Sequence, residues 1–135
     1  MNAEIISVGD ELVRGQRLDT NSQWISQRLG DLGVVVQHHT TIGDELADNI
    51  RAFQIAAGRA DLVVITGGLG PTADDLTREA LAVAFDRPLE FRSEAMEHIE
   101  NLFRNRGRPM PERNRVQAYF PATSTIIPNP FGTAP

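Results

Sequence analysis

The segment Leu62–Thr77 joins an apolar run, a turn with three glycines, and two adjacent carboxylates. The run Leu62–Ile65 is typical of a buried strand, and the apolar spacing beyond it predicts a helix. Glycine adopts backbone angles closed to other residues and lets the main chain approach a ligand closely. The start of a helix favours anions through its unpaired N–H groups. We therefore expect a strand, turn and helix that bind a phosphate-bearing ligand.

Two better-known phosphate motifs do not account for this turn. The spacing Gly68-x-Gly70-x-x-Ala73 matches the relaxed dinucleotide fingerprint, but no second strand ending in an acidic residue follows at the required distance. A Walker loop is excluded, because it requires a lysine and the chain contains none. The glutamate-rich helix of Nudix hydrolases is absent as well. One alternative stays open, in which the glycines only make a tight turn between strand and helix.

Composition narrows the class of protein. The chain has 135 residues, 41% hydrophobic and 23% charged, which predicts a single globular domain over residues 1–135. Cysteine is absent, which excludes disulfides, thiolate metal sites and cysteine nucleophiles. The net charge of −5 disfavours nucleic acid as a partner. No signal-like start or membrane-length apolar run is present, so we expect a cytoplasmic protein with no membrane partner.

Strand and helix patterns alternate along the first two thirds of the chain. Strands are predicted at Ala3–Val8, Val34–Gln37 and Leu62–Thr66, each followed by apolar residues at helical spacing. These helical positions are Trp24, Ile25, Leu29 and Leu32, then Leu46, Ile50, Phe53 and Ala57, then Leu76, Ala80, Leu81 and Ala84. Three such units predict an α/β fold whose parallel sheet is covered on both faces. Ligands of such folds bind at the carboxyl ends of the strands.

The remaining elements are less regular. We predict a helix over 94–106 capped by Ser93, and short strands over 117–120 and 124–127. Trp24 is interpreted as a core residue. The pair His38 and His39 is expected to close the second strand in a structural or rim role, and His98 lies alone on a helix.

Acidic residues follow all three predicted strands. They are Asp10 and Glu11, then Asp44 and Glu45, then Asp74 and Asp75. Beside a phosphate these charges would repel the ligand unless a cation lay between them, and hard cations bind oxygen ligands. The sequence therefore predicts a divalent metal that bridges carboxylates and phosphate. Capping is the structural alternative, since Thr41-x-x-Asp44 and Thr72-x-x-Asp75 have capping-box spacing.

The loop between Gly9 and Thr20 is expected to form a wall of the pocket. It spans about twelve residues, whereas connections from strand to helix usually take two to six. Long ordered loops of this kind tend to be functional.

Several long motifs together resemble the amino-terminal domain of the competence/damage-inducible CinA proteins. The matching segments are Ala3–Leu12 with Gly15, Asp19–Asn21, Gly43 with Asp44, Thr66–Thr72, Asp74–Thr77, and Asn129–Pro135. The resemblance implies a molybdopterin-binding (MoaB/Mog-like) fold, a three-layer α/β/α sandwich with a mainly parallel sheet. It also implies metal-dependent hydrolysis of ADP-ribose to AMP and ribose 5-phosphate, with Mg²⁺, Mn²⁺ or Co²⁺ as cofactor.

The same resemblance leaves other properties open. The wider superfamily includes enzymes that adenylylate molybdopterin, so a transferase or a molybdopterin- or nucleotide-binding protein is the alternative. A monovalent cation is a further candidate cofactor, and a homodimer or homotrimer is expected. Relatives continue past the motif at Gly132–Pro135 and carry an amidase-like domain, so we expect the complete domain to be longer than this chain. The amidase activity is not assigned to it.

Site residues follow from the resemblance position by position. It makes Asp44 and Asp75 the catalytic residues and assigns the metal to Asp44, Asp74 and Asp75. The residues expected to bind substrate are Gly9, Asp10, Glu11, Thr66, Gly67, Gly68, Gly70, Thr72, Asn129, Gly132 and Thr133.

Overall fold

The computed structural model describes residues 1–135. In chain order its elements are β1 (Asn2–Val8), α1 (Asp10–Val13), α2 (Thr20–Asp31), β2 (Val35–Ile42), α3 (Leu46–Arg59), β3 (Leu62–Thr66), α4 (Thr77–Ala84), β4 (Leu89–Phe91), α5 (Ser93–Asn105), a 3-10 helix (Glu112–Ala118) and β5 (Tyr119–Pro121). The three predicted strand and helix units are confirmed.

The first three strands form one parallel sheet in the order β2-β1-β3. Val8 pairs with Ile42 and Ser7 pairs with Thr66, so the carboxyl ends of all three strands lie at one edge. Right-handed crossovers carry the chain from β1 out to β2 and back past β1 to β3. This course places α2 on one face of the sheet and α3 on the other.

Side chains of β1 confirm the two covered faces. Ile6 packs with Phe53 of α3 and Ala80 of α4 in the main core. Ser7, the next residue, faces the opposite side, where its hydroxyl lies 2.8 Å from that of Ser22 in α2. Phe53 is 1% exposed, and burial of such a side chain stabilises the fold by about 1.5–3 kcal/mol.

The remaining elements form a second packed cluster beside α4. Strands β4 and β5 pair antiparallel, and α5 packs on the 3-10 helix through Ala95, Met96, Ile99 and Ala118. The strand predicted over 117–120 is wrong for its first two residues, because Gln117 and Ala118 end the 3-10 helix. The strand predicted over 124–127 is wrong, since this segment is irregular.

The second strand is longer than predicted. It runs to Ile42 instead of ending near Gln37, so His38 and His39 lie within the strand and do not close it. Both are exposed, and the His39 ring lies 2.8 Å from the Ser26 hydroxyl. β2 is an edge strand, and most of its residues beyond Val36 are polar. The apolar run in the sequence therefore ends before the strand does.

Two predictions about helices are also corrected. Trp24 is 61% exposed and lies under the Arg28 guanidinium, 5.8 Å from it, so it is not a core residue. Leu32, on the same predicted apolar face, is 77% exposed. Ser93 is the first residue of α5, whose cap is Arg92 without a side-chain hydrogen bond. None of the helices combines the length and apolar character needed to cross a membrane.

Candidate functional site

A cavity of about 150 Å³ opens at the carboxyl ends of β1 and β3. The sheet and the turn after β3 contribute Val8, Thr66 and Gly67 to its lining, and the connection from β1 together with the start of α2 contributes Glu11, Leu12, Arg17, Leu18, Asp19, Thr20 and Asn21. The prediction that this loop forms a pocket wall is confirmed, although α1 gives it one helical turn.

The glycine turn after β3 combines positive φ angles with amides that have no partner in the chain. Gly67 and Gly68 have positive φ angles of 91° and 65°, a region that favours glycine. A Cβ on Gly67 would lie 2.2 Å from the Val8 carbonyl oxygen, so the turn also requires glycine for space. No N–H of Gly67, Gly68 or Leu69 donates a hydrogen bond within the chain. Successive free amides of this kind form an anion-binding concavity.

The free amides belong to the turn and not to the start of the helix that follows. Helix α4 begins only at Thr77, and the Thr77 amide donates to the Gly68 carbonyl at 3.1 Å. The expected anion site at the helix start stays a prediction, and the turn adds three free amides of its own.

Asp75 closes the far side of the same turn. Its Oδ2 accepts hydrogen bonds from the Thr72 amide at 2.9 Å and the Thr72 hydroxyl at 2.6 Å. Partial burial opposes ionisation of Asp75, but these bonds and the Gly70 amide outweigh it and hold its pKa below the usual range. A Cβ on Gly70 would lie 2.4 Å from Asp75 Oδ2. The Thr72–Asp75 contact expected from capping-box spacing exists, but within the turn, since the cap of α4 is Leu76.

The turns after β1 and β2 are tied together by two carboxylates. The Asp10 amide donates to Asp44 Oδ2 at 3.2 Å, and the Asp44 amide donates to Asp10 Oδ1 at 3.0 Å. Arg14 pairs with the other oxygen of Asp10 at 2.9 Å. Asp44 Oδ1 accepts no hydrogen bond from the protein, so this oxygen remains available to a ligand. The prediction that Thr41 pairs with Asp44 is not realised, and Glu45 caps α3 without a side-chain bond.

Asp19 is a carboxylate of the cavity that was not among the predicted site residues. It accepts hydrogen bonds from the Ser22 amide at 3.0 Å and the Ser22 hydroxyl at 2.6 Å. Burial works against its charge, yet the bonds from Ser22 and Ser7 hold the pKa of Asp19 below its ordinary value. The sequence signal for it is Asp19-x-x-Ser22, an N-cap pattern.

The predicted metal ligands do not form a protein cage. No group of three or more His, Cys, Asp or Glu side chains is close enough to hold a metal ion. Asp74 is exposed and makes no side-chain hydrogen bond or ion pair. The oxygen donors of Asp44 and Asp75 suit a hard cation only if the ligand supplies further oxygens, which is how Mg²⁺ is bound in many phosphate sites.

Comparison with known proteins identifies the family to which this chain belongs. The family described as "Probable molybdopterin binding domain" matches residues 4–135. CinA-like proteins of Anaeromyxobacter sp. (strain Fw109-5) and Dictyoglomus thermophilum are 48% and 47% identical over 135 residues, which is 100% of this chain and 33% of each relative. The crystal structure of a CinA protein of unknown function from Thermoplasma acidophilum matches with a TM-score of 0.90 at 34% identity, over 99% of this chain and 78% of that one. The chain belongs to the CinA family.

The CinA chain also has the fold of the MoaB and Mog proteins. The molybdopterin biosynthesis enzyme MoaB of Thermus thermophilus matches with a TM-score of 0.59 at 25% identity, over 83% of this chain and 68% of that one. The expected α/β architecture and MoaB/Mog-like fold are thereby confirmed. The chain spans about one third of the length of the curated CinA relatives that it matches.

The predicted substrate residues near the end of this CinA chain lie apart from the cavity at β1 and β3. Asn129 accepts hydrogen bonds from the amides of Phe131 and Gly132 at 3.1 and 3.2 Å. The Gly132 carbonyl oxygen lies 3.2 Å from Nε2 of His98, so that histidine holds the terminal loop on α5. Neither Asn129, Gly132 nor Thr133 lines the cavity.

Proposed function

We infer that this CinA domain hydrolyses the pyrophosphate bond of ADP-ribose, or of a related nucleotide, to AMP and ribose 5-phosphate. The observation that supports the proposal is the run of free amides at Gly67, Gly68 and Leu69, beside the ionised carboxylate of Asp75. Free amides suit a phosphate, and nearby carboxylates suit proton transfer and cation binding. The choice of ADP-ribose rests on the resemblance to CinA proteins.

In the proposed reaction water attacks one phosphorus atom. A new phosphorus–oxygen bond forms, the bond to the bridging oxygen breaks, and the electron pair of that bond leaves with the other phosphate. The amides of Gly67, Gly68 and Leu69 hold phosphate oxygens and stabilise the charge that develops on them. Asp44 Oδ1 is the candidate acceptor for the water proton, because hydrogen bonds leave it unoccupied.

Asp75 has a different proposed role. Hydrogen bonds from Thr72 keep it ionised, so it is a weak proton acceptor and suits a cation better than a general base. Together with Asp44, and with Asp74 as a third candidate, it would hold a divalent cation whose coordination the substrate phosphates complete. Such a cation supplies charge neutralisation and a more acidic bound water.

The test is AMP release from ADP-ribose by the purified chain with Mg²⁺, Mn²⁺ or Co²⁺, in the wild type and in Asp44→Asn and Asp75→Asn. We expect metal-dependent AMP in the wild type and at least a hundredfold loss in both variants, about 2.7 kcal/mol of barrier. Asp31→Asn is the matched control, since Asp31 is an exposed acid paired only with Arg28, and should stay within twofold. Equal rates in all four proteins would refute the two-carboxylate site.

An adenylyltransferase acting on a pterin, or a non-catalytic molybdopterin- or nucleotide-binding module, is the second candidate. The fold shared with a molybdopterin biosynthesis enzyme favours it. A folded chain that binds ADP-ribose without releasing AMP would support this reading.

A homo-oligomer is also proposed. Three large apolar side chains of the α2 region are exposed, Leu18 at 83%, Trp24 at 61% and Leu32 at 77%, and burial of apolar surface drives most protein association. Sedimentation velocity of the chain and of a Trp24→Ser variant would test it. A monomer at all concentrations would contradict the proposal.

A further inference from the structure

The cavity at the carboxyl ends of β1 and β3 carries an uneven set of charges. Glu11 and Asp19 are the acids of its lining, and Arg17 is its only basic residue. Burial opposes the charge of Asp19, but hydrogen bonds from Ser22 and Ser7 outweigh it and hold the pKa of Asp19 below its ordinary value. An anion in the cavity would therefore be repelled by carboxylates unless a cation lay beside it.

The backbone at Arg17 is tied to the wall of the cavity. Gly15, with a φ of 71°, turns the chain after α1. The amides of Gln16 and Arg17 then donate to the Glu11 carbonyl at 2.9 and 3.2 Å. These two bonds keep the backbone of Arg17 next to Glu11, within the connection that forms the wall.

The side chain of Arg17, in contrast, has no partner in the chain. Its guanidinium takes part in no hydrogen bond, ion pair or aromatic contact. Arg14, from the same connection, pairs with Asp10 at 2.9 Å. Neither Glu11 nor Asp19 forms an ion pair with Arg17, although all three line one cavity. The donors of Arg17 are therefore available to a ligand.

Gly67 of the glycine turn lines the same cavity, and its amide has no partner in the chain. The cavity holds about 150 Å³, whereas pockets for whole drug-sized ligands hold about 300–1,000 Å³. One phosphate group fits the smaller space, and the rest of a nucleotide would extend out of it. Such a group would meet the Gly67 amide and the Arg17 guanidinium together, and a planar guanidinium matches two phosphate oxygens at once.

We propose that Arg17 binds the phosphate group held by the Gly67 amide and supplies the positive charge that offsets Glu11 and Asp19. The proposal rests on the phosphate-binding function proposed above and adds a residue to it. Asp44 and Asp75, the proposed metal ligands, do not line this cavity. Arg17 and a bound divalent cation would therefore act at different places, and the cavity would hold a phosphate group without added metal.

The experiment is a pyrophosphate titration of the purified chain in EDTA and again with Mg²⁺. Calorimetry gives the affinity, and the backbone amide NMR signal of Gly67 reports the place of binding. The variants are Arg17→Met, which keeps the apolar stem and removes the charge, and Arg17→Lys, which keeps the charge and removes the fork. Since Arg17 is exposed and its side chain has no partner in the chain, both variants should unfold at the wild-type temperature.

Arg106→Met is the matched control. Arg106 is likewise exposed, follows the end of α5, and does not line the cavity. Its removal changes the net charge by the same amount as Arg17→Met. A difference between the two variants therefore measures a local contact and not general attraction of the anion to the chain.

We expect the wild type to bind pyrophosphate in EDTA with a shift of the Gly67 signal. Arg17→Met should bind about tenfold more weakly, as expected for the loss of a charge-assisted hydrogen bond. Arg17→Lys should bind about threefold more weakly, because an ammonium group lacks the fork of the guanidinium. Arg106→Met should stay within about twofold of the wild type.

The results that would overturn the proposal are distinguishable. If Arg17→Met binds as tightly as the wild type in EDTA, the role of Arg17 is refuted and the phosphate site stands. A wild type that binds only with Mg²⁺ would refute the charge offset by Arg17. A wild type that never binds pyrophosphate would refute the phosphate site and the role of Arg17 with it. Absence of AMP release from a chain that binds pyrophosphate through Arg17 would refute the proposed hydrolysis alone.

Discussion

At the ends of β1 and β2, two carboxylates accept hydrogen bonds from backbone amides, whereas most side-chain hydrogen bonds to the turn after β3 are donated to its carbonyls. Asp10 and Asp44 use their oxygens to close the first two turns. Thr77, Arg78 and Gln117 use their donors to close the third. In the third turn the amides of Gly67, Gly68 and Leu69 have no partner in the chain. The difference teaches that turns at one sheet edge can be closed either through their amides or through their carbonyls.

The largest effect is expected from Gly67→Ala, which breaks the third turn. The added Cβ would lie 2.2 Å from the Val8 carbonyl oxygen, and φ is 91°. Backbone strain and overpacking together should lower the free energy of unfolding by roughly 2–4 kcal/mol. Urea unfolding measures this loss of unfolding free energy. Gly15→Ala is the control, because Gly15 has φ of 71° but nothing within 4 Å, so it should cost about 1–2 kcal/mol. Equal losses would mean that space at Gly67 is irrelevant.

A smaller and pH-dependent effect is expected from Asp75→Asn. The folded-state pKa of Asp75 is lowered, so its ionised form contributes stability that is complete above its unfolded pKa of about 3.9. That stability is lost as pH falls through the folded value. The variant should be less stable by about 1–2 kcal/mol at pH 7, with the gap closing below about pH 4. Urea unfolding between pH 3 and 7 tests the sign, and a gap that widens toward acid would contradict it.

The smallest effect is expected at the first two turns, from Asp10→Ala. It removes the acceptor of the Asp44 amide and the exposed partner of Arg14. The lost hydrogen bond should cost about 1 kcal/mol, and the exposed ion pair adds little. Asp10→Asn keeps an oxygen acceptor, so thermal unfolding should show most of the stability restored. If both variants lose the same amount, charge rather than the hydrogen bond closes this turn.

Much of the fold follows from periodicity in the sequence. The apolar runs at β1 and β3 and the helical spacing of α3 and α4 predicted the parallel sheet and the edge where the carboxyl ends of its strands meet. Predictions from apolar periodicity failed in β2 and α2, because exposed positions do not have to follow the apolar pattern. β2 is an edge strand and tolerates Thr40 and Thr41 near its end. Trp24 in α2 and Leu32 at the end of that helix are exposed, although helical spacing grouped them with core positions.

Within the candidate site, the glycines and acids were predictable as residue types at strand ends. The contacts between Asp10 and Asp44 and the place of Asp19 in the cavity were not. Both depend on how separate loops meet across the sheet, which spacing along one element does not encode. The same holds for the contact between the Gly132 carbonyl and His98 of α5, which joins the terminal loop to a distant helix.

The order of strands and helices, the need for glycine after β3 and the acids that follow each strand are local properties, because they depend on neighbouring residues and on steric limits of the backbone. Which backbone groups of the glycine turn remain free is decided by the tertiary structure. Gln117 reaches Leu69 from 48 residues away, and β5 packs against α4, the helix that holds the buried Arg78. Hydrogen bonds between distant segments form only when packing brings them together and removes water, so the sequence pattern alone does not reveal them.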